Sequence, residues 1–354
     1  MIKNYFKIGK VKFSESNCVI IAEAGVNHNG SLELAERLIK EAKYNGADII
    51  KFQTYKAENL TIKKSPRFWN WDGEKIKNGS QYDSYKALDK FNKKEYKKIS
   101  DLCKKYKIEF MSTPFDHSSV DMLTKIGVKG FKIASCDISN FPLLKKVASK
   151  KLPILLSTGA SNLKEIKAAV SYLKKQGNKK ICVMHCTLCY PTKPEDVNFS
   201  GLIDIKNNFK NHVLGLSDHT LGINSTLPAV AMGVRVIEKH FTVDKKLKKS
   251  ADHWLSLDPK ELNQMRKNVD DVLLSLGKGG KKVLPCEEKT RMLARRSIVL
   301  KCDLKKGNIL SEKNITCKRP GNGMHPKFFD KIIGKKLTKN LPEDHQIKAS
   351  DITK

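Results

Sequence analysis

From residue 18 to about residue 276 the chain alternates short apolar runs with amphipathic stretches, and this alternation constrains the fold more than any other feature. The strand candidates are 18–23, 47–53, 108–112, 130–134, 153–157, 181–186, 213–217 and 234–240. They read as nearly continuous Val/Ile/Leu runs, the pattern of parallel strands buried on both faces. Helical patterns follow at 31–44, 92–106, 118–126, 141–149, 162–176, 200–209, 222–232 and 259–276. Ser31 opens the first as an N-cap, with Glu33 one position short of a capping box, and Asn45-Gly46 closes it. Eight strand–helix units in this length predict an α/β fold of the (β/α)8 TIM-barrel class, with a doubly wound open sheet as the alternative. Residues 7–13 read as a hairpin placed to plug the barrel floor.

Two segments break the period. Residues 55–90 are too long for an ordinary loop and carry Trp69 and Trp71, two of the three tryptophans. A lid over a site and a surface loop packed on the barrel rim both fit this pattern. After the glycines at 277, 279 and 280 the texture changes. The expected organisation is a barrel over 1–280, a linker over 281–293 and a small, mostly β domain over 294–354. That last region contains an internal echo: 303–316 returns as 340–353, pairing Leu304 with Leu341, Leu310 with Ile347 and Ile315 with Ile352. Two copies make one small domain and are too few for a solenoid.

Charge is the other unusual property. The 354 residues carry 68 basic and 37 acidic side chains, a formal net charge of +31. Such a surplus raises nucleic acid, membrane surfaces and anionic substrates as partners. Only eight of the basic residues are arginine, however, and the lysines are scattered. Bidentate base and phosphate recognition depends on the arginine fork, so a generic lysine-rich surface is the better reading, a nucleic-acid-binding barrel the weaker one, and the charge alone names no partner. No apolar run approaches the roughly 20 residues of a membrane span, and the first ten residues lack an apolar signal core. The nine cysteines suit free thiols, and the expected location is the cytoplasm. Cys182, Cys186 and Cys189 have the spacing of a radical S-adenosylmethionine cluster motif, but Cys182 falls inside a predicted strand, where no loop can wrap a cluster.

In a (β/α)8 barrel the chemistry sits at the C-terminal strand ends. Those ends carry Glu23, Lys51 with Gln53, Ser112-Thr113, Lys132 with Ser135, Ser157-Thr158, His185, Ser217-Asp218-His219, and Glu238 with His240. Polar groups recurring at one rim of an apolar core predict a polar cavity. Lys51, Thr113, Lys132, Ser135, Ser157 and Ser217 are cations and small hydroxyl donors suited to phosphate or carboxylate. His219 and His240, with Glu23 and Glu238 near, form a nitrogen/oxygen set suited to Mn²⁺, Zn²⁺ or Fe²⁺ with open positions.

Eight segments carry a family resemblance: Ile21-Ala-Glu-Ala-Gly-Val-Asn-His-Asn-Gly30, Lys51-Phe-Gln-Thr54, Ser112-Thr-Pro-Phe115, Lys132-Ile-Ala-Ser135, Leu156-Ser-Thr-Gly159, His185-Cys-Thr187 with Tyr190-Pro-Thr192, Gly215-Leu-Ser-Asp-His-Thr-Leu-Gly222, and Glu238-Lys-His-Phe241. In this order they resemble the bacterial sialic acid (N-acetylneuraminate) synthases. The tail with Lys318-Arg-Pro-Gly-Asn-Gly323 is similar to the antifreeze-like (SAF) domain of those enzymes. The resemblance implies a homodimer with exchanged C-terminal domains. It implies condensation of phosphoenolpyruvate with an N-acyl hexosamine such as N-acetylmannosamine, assisted by a divalent metal, Mn²⁺ first with Mg²⁺ or Co²⁺ as alternatives. Glu23 and Glu238 would then be catalytic. The lysine–hydroxyl set would hold phosphoenolpyruvate, Gln53, Tyr190, Asp252 and Arg319 would hold the sugar, and His219 and His240 the metal. Where some members carry Asn this chain has Leu188, and an aromatic often found three residues after Thr290 is Leu293 here. Related enzymes make legionaminic or pseudaminic acid or act on a 6-phosphorylated sugar.

Overall fold

The computed structural model describes residues 5–67, 69, 79–248, 250–277 and 279–353. Trp71 lies outside the described residues. The chain divides into two compact units, Met1–Gly277 and Lys278–Lys354.

The first unit opens with strands β1 (Phe6–Ile8) and β2 (Val11–Phe13), an antiparallel hairpin that stacks the Phe6 and Phe13 rings 4.7 Å apart. Eight parallel strands follow: β3 (Val19–Gly25), β4 (Ile49–Thr54), β5 (Glu109–Pro114), β6 (Phe131–Ile133), β7 (Ile154–Ser157), β8 (Ile181–Cys186), β9 (Val213–Asp218) and β10 (Val236–His240). Their order is β5-β4-β3-β10-β9-β8-β7-β6. The two ends, β5 and β6, are consecutive in sequence and lie against each other, so the sheet forms a nearly closed barrel. The open-sheet alternative is thereby excluded.

Helices α1 (Leu32–Tyr44), α2 (Ala57–Leu60), α3 (Gln81–Leu88), α4 (Lys93–Tyr106), α5 (His117–Ile126), α6 (Phe141–Ala148), α7 (Leu163–Lys175), α8 (Phe199–Asn208), α9 (Thr226–Ala231) and α10 (Pro259–Ser275) alternate with the strands. Local signals set their ends. Ser31 accepts from the Leu34 amide, and Gly46 takes the left-handed conformation after α1 with φ +94°. Full capping boxes start α4 (Asn92/Glu95), α7 (Asn162/Glu165) and α10 (Asp258/Glu261). Helix α1 buries Ala35, Leu38, Ile39 and Ala42, the i, i+3, i+4, i+7 stripe of a helix on a sheet.

The barrel has two apolar layers. The outer one packs strand residues such as Ile20, Ile50, Phe131 and Ile237 against the helices. The inner one fills the barrel floor with Val19, Ile21, Ile49, Met111, Leu155, Cys182, Met184, Val213 and Val236, closed from below by Phe6, Ile8 and Phe13 of the hairpin. Gly215 is required there: a Cβ on it would come within 2.6 Å of Met184 Cγ. Cys182 is part of this packed floor, which leaves no room for a cluster.

The second unit contains α11 (Pro285–Ala294), the antiparallel pair β11 (Ser297–Leu300) and β12 (Ile315–Lys318), and α12 (Phe329–Ile332). The stretch 281–293, expected to be a linker, therefore contains most of a helix. Its residues are all exposed, as a connector's are, but Pro285 at the first turn and a run free of glycine favour helix over extended chain. The internal echo is structural: Leu304 and Leu341 exchange two backbone hydrogen bonds of 2.9 Å, so the copies pair with each other. Leu310, Ile315, Leu341 and Ile347 share one small core.

His212 is one of the buried histidines of the first unit expected to make the fold acid-sensitive. His212 packs edge-on to Phe209 with both ring nitrogens lacking hydrogen-bond partners, and burial, aided by Lys174, pushes its pKa down to about 4. The unfolded chain then binds more protons than the folded one between about pH 4 and 6.5, so stability falls as pH drops through that window. At pH 5 this group costs about 1–2 kcal/mol relative to pH 8. His212→Phe keeps the ring contact and removes the proton site. Chemical denaturation at both pH values is expected to show a smaller acid loss in the variant; parallel losses would exclude His212 as the source.

Candidate active site

The interior positions of each strand change character along its length. Every second residue faces inward, so β3 presents Val19, Ile21 and Glu23, β4 presents Ile49, Lys51 and Gln53, and β10 presents Val236, Glu238 and His240. The floor is apolar and the C-terminal rim is polar. Strand pairing levels the rim: Glu23 is opposite Lys51 on one side and His240 on the other, and Glu238 is opposite Ser217.

A cavity of about 260 Å³ opens at this rim, lined by Glu23, Lys51, Gln53, Thr113, Lys132, Ser135, Ser157, Tyr190, Ser217, His219, Glu238, His240 and Asp252. Thirteen of the fourteen candidate residues are thus brought together. The fourteenth, Arg319, is exposed in the second unit beside Lys318, Pro320 and Gln346. Other strand-end polar residues point away. Ser112 donates to the Phe52 carbonyl, Thr158 to the Met184 carbonyl, and His185 bonds the Val197 carbonyl. Their positions are one residue out of phase with the lining set.

Four charges meet at the centre. Lys51 Nζ lies 2.7 Å from Glu23 Oε2 and 3.6 Å from Glu238 Oε1, while Lys132 Nζ lies 2.9 Å from the same Glu238 oxygen. Thr113 accepts from Lys51 at 3.0 Å, Ser217 donates to Glu238 at 3.2 Å, and Gln53 donates to Glu23 at 3.2 Å. All four charged side chains are at most 6% exposed. Burial alone would lower the Lys51 ammonium, but the two carboxylates outweigh it and hold its pKa above the ordinary value. Burial likewise opposes ionisation of Glu238, yet Lys132 and Lys51 hold its pKa far below the usual carboxylate range. Ser157 Oγ is buried with no hydrogen-bond partner. Ser135 accepts from the Gly159 amide at 2.9 Å, an approach that a side chain at 159 would block.

The histidines stand beside this quartet, their ring centroids 5.5 Å apart. His219 Nδ1 bonds the Thr187 carbonyl at 2.9 Å; a carbonyl can only accept, so Nδ1 carries a proton, and in the neutral ring Nε2 keeps its lone pair. Burial pushes the His219 pKa down, but the adjacent Cys186 outweighs it and holds it above the ordinary value. His240 Nδ1 is buried without a hydrogen-bond partner, 3.6 Å from Asp252 Oδ2. Burial lowers the His240 pKa against the pull of Asp252, which keeps that ring neutral. Tyr190 lies over His219 at 4.1 Å. Among the described residues no group of three His, Cys, Asp or Glu side chains is disposed to hold a metal. His219 and His240 are the two imidazoles at this rim that could hold a divalent cation, whose other positions would fall to water or substrate.

Sequence reasoning missed much of the apolar wall. The long segment after β4 contributes Tyr55, Leu60, Trp69, Tyr85 and Leu88, so it does line the cavity, and the turn after β10 adds Trp254 and Leu255. Helix α3, which begins at its capping box Ser80/Asp83, was the available signal for the first group.

Removing one cation tests the electrostatic balance. Lys132→Met leaves Glu238 buried with a single lysine and is expected to cost about 3 kcal/mol of stability. The neutral pair Lys132→Met with Glu238→Gln should recover most of that loss, as read from denaturant midpoints. Equal destabilisation by both variants would show that the charges are not coupled.

Residues 38–281 match the NeuB family and residues 295–353 match the SAF domain. The chain is 43% identical over 332 residues to the N,N'-diacetyllegionaminic acid synthase of Campylobacter jejuni, covering 93% of this chain and 98% of that protein. It is 34% identical over 338 residues to the human N-acetylneuraminate-9-phosphate synthase, covering 93% and 91% respectively. The crystal structure of N-acetylneuraminic acid (sialic acid) synthetase from Leptospira borgpetersenii, in complex with citrate, superposes with a TM-score of 0.72 at 36% identity over 81% of this chain and 95% of that one. With the barrel fold and these relatives in agreement, the chain belongs to the NeuB family of nonulosonic acid synthases and carries a SAF domain after its barrel in the sequence.

Proposed function

We propose that the cavity condenses phosphoenolpyruvate with the open-chain aldehyde of an N-acyl hexosamine and water, giving a nine-carbon 2-keto sugar acid and phosphate. One observation carries this reading: two buried lysines, a ring of hydroxyls and two histidines line a single cavity. Lys51, Lys132, Thr113, Ser135, Ser157 and Ser217 bind the phosphate and carboxylate, and the unpartnered Ser157 hydroxyl is a donor ready for an incoming anion. His219 and His240 hold the divalent metal, Mn²⁺ first among Mg²⁺ and Co²⁺; when bound, it polarises the sugar carbonyl toward attack by C3. The Nε2 of the neutral His219 ring and the unpartnered Nδ1 of His240 fit that use.

Glu23 is anchored by Lys51 and Gln53, so its carboxylate is fixed in position to orient and deprotonate the water that adds at C2. Glu238 balances the two lysines at 3.6 Å and 2.9 Å. Gln53, Tyr190 and Asp252 contact the sugar from the rim. Arg319 reaches the N-acyl group of a neighbouring protomer's site in a homodimer with exchanged SAF domains, within the cytoplasm.

N-acetylmannosamine, yielding N-acetylneuraminate, is the first acceptor to consider. A specific observation favours a second, the 2,4-diacetamido-2,4,6-trideoxy hexose that leads to legionaminic acid. Leu60, Leu88, Leu188 and Leu255 line the cavity, a wall that suits a deoxygenated C6 better than a 6-hydroxyl or 6-phosphate.

Phosphate release from phosphoenolpyruvate with Mn²⁺ and a panel of N-acetylmannosamine, its 6-phosphate and the diacetamido sugars tests the reading. Turnover with one member is expected, and none with any member would refute it. His240→Ala should abolish turnover while the far-ultraviolet circular dichroism stays unchanged. Arg319→Ala should raise the sugar KM at least roughly tenfold, the value of one charged hydrogen bond, with little effect on phosphoenolpyruvate. Equal effects on both substrates would remove Arg319 from the sugar side.

A further inference from the structure

Directly before each of the two rim histidines in sequence stands a buried charge: Asp218 before His219 and Lys239 before His240. The two sit opposite each other in the β9–β10 ladder. By the strand period they face away from the cavity, and neither lines it. Their side chains are 3% and 2% exposed, with Lys239 Nζ 2.8 Å from Asp218 Oδ2.

The hydrogen bonds of this pair fall on the turn that carries His219. Lys239 Nζ also donates to the Thr220 carbonyl at 2.6 Å and to Thr220 Oγ1 at 3.3 Å. Asp218 Oδ1 accepts from the Thr220 amide at 3.0 Å. Asp218 Oδ2 accepts from Thr220 Oγ1 at 3.1 Å and from Ser225 Oγ at 2.5 Å, and those two hydroxyls are 2.8 Å apart. An ammonium on β10 thus grips the residues on both sides of His219, while its own neighbour His240 is held by backbone bonds, with the Leu257 amide donating to its carbonyl at 2.8 Å. On the far side of the same turn the Thr192 amide donates to the His219 carbonyl at 2.9 Å.

The location sharpens the point. This is the outer layer of the barrel, where the adjoining outward strand positions are Leu216 and Ile237, and an apolar pair there is commonly no less stable than an ion pair. Three donors and two carboxylate oxygens instead fix a distance. We infer that the Lys239–Asp218 pair is a positioning device that sets the separation of His219 and His240, and so the affinity of the site for its divalent cation. The inference rests on the proposed metal-binding role of the histidines for its second half and on geometry alone for its first.

Two measurements on the full-length protein separate those halves. Mn²⁺ binding is followed by the loss of the free-ion electron paramagnetic resonance signal, and crystal structures report the ring positions. The variant Lys239→Met with Asp218→Leu replaces the pair by apolar side chains. It is expected to weaken Mn²⁺ binding at least tenfold, to leave the phosphoenolpyruvate KM unchanged at saturating Mn²⁺, and to move the His219 and His240 rings from their 5.5 Å spacing. Ser225→Ala removes one hydroxyl from the network without disturbing the charges; it should fold normally and weaken Mn²⁺ binding roughly threefold, and it supplies the test if the double variant does not fold. Unchanged ring positions together with unchanged Mn²⁺ affinity in a folded variant would overturn the inference. A wild-type protein that binds no Mn²⁺ would instead defeat the metal reading, and the ring positions in the variant would still decide whether the pair positions the histidines.

Discussion

The buried quartet of Lys51, Lys132, Glu23 and Glu238 is the constraint around which the first unit is arranged. Four charges cannot be taken out of water one at a time. Each unpaired ion would cost several kcal/mol, so the set persists only because every member meets its counter-charge within hydrogen-bond or near-contact distance. That requirement fixes the register of β3, β4, β6 and β10 at the rim, since a one-residue slip would turn these charges into the helix layer. The apolar floor and the hairpin beneath it serve the same end. By filling the lower half of the barrel they confine the polar space to one mouth.

A single rule, the period of two along each strand, explains which polar residues join the site. Lys51 and Gln53, or Glu238 and His240, share a face; Ser112, Thr158 and Asp218 fall between the lining positions and bond backbone or the outer layer instead. The residues that sequence order places beside the site residues are therefore the ones that hold the strand ends in place. Thr158, anchored to the Met184 carbonyl, supports Ser157 in this way, and the Lys239–Asp218 pair has the same relation to the histidines.

The barrel was legible in the sequence because its signals are local and repeated: apolar runs with turn residues between them, and caps such as Asn162/Glu165. The rim set was legible because a charged residue ending an apolar run is unusual by itself. What escaped was whatever depends on packing between distant segments. Trp254 and Leu255 reach the cavity through the long turn after β10, and Leu60 and Leu88 through helices too short to leave a strong period. The helix Pro285–Ala294 escaped for another reason: with no buried face it carries no apolar stripe to betray it.

The net charge of +31 takes on a narrower meaning once the site is resolved. The quartet at the centre sums to zero, so it exerts little long-range pull on an anion. For the proposed substrate, a trianion at neutral pH, attraction at a distance has to come from the lysine-rich surface, as a field that salt screens over roughly 8 Å. Recognition at contact is a separate matter. On the proposed reading the incoming oxygens would compete with Glu23 and Glu238 for the same ammonium protons, and the carboxylates would limit how tightly any anion could be held. A site of two bare lysines would bind phosphate and carboxylate more indiscriminately. On the proposed reading a glutamate against each lysine would lower the pull on any anion at the quartet, and discrimination would fall to the other lining groups: the Ser157 hydroxyl, the histidine pair and the leucine wall.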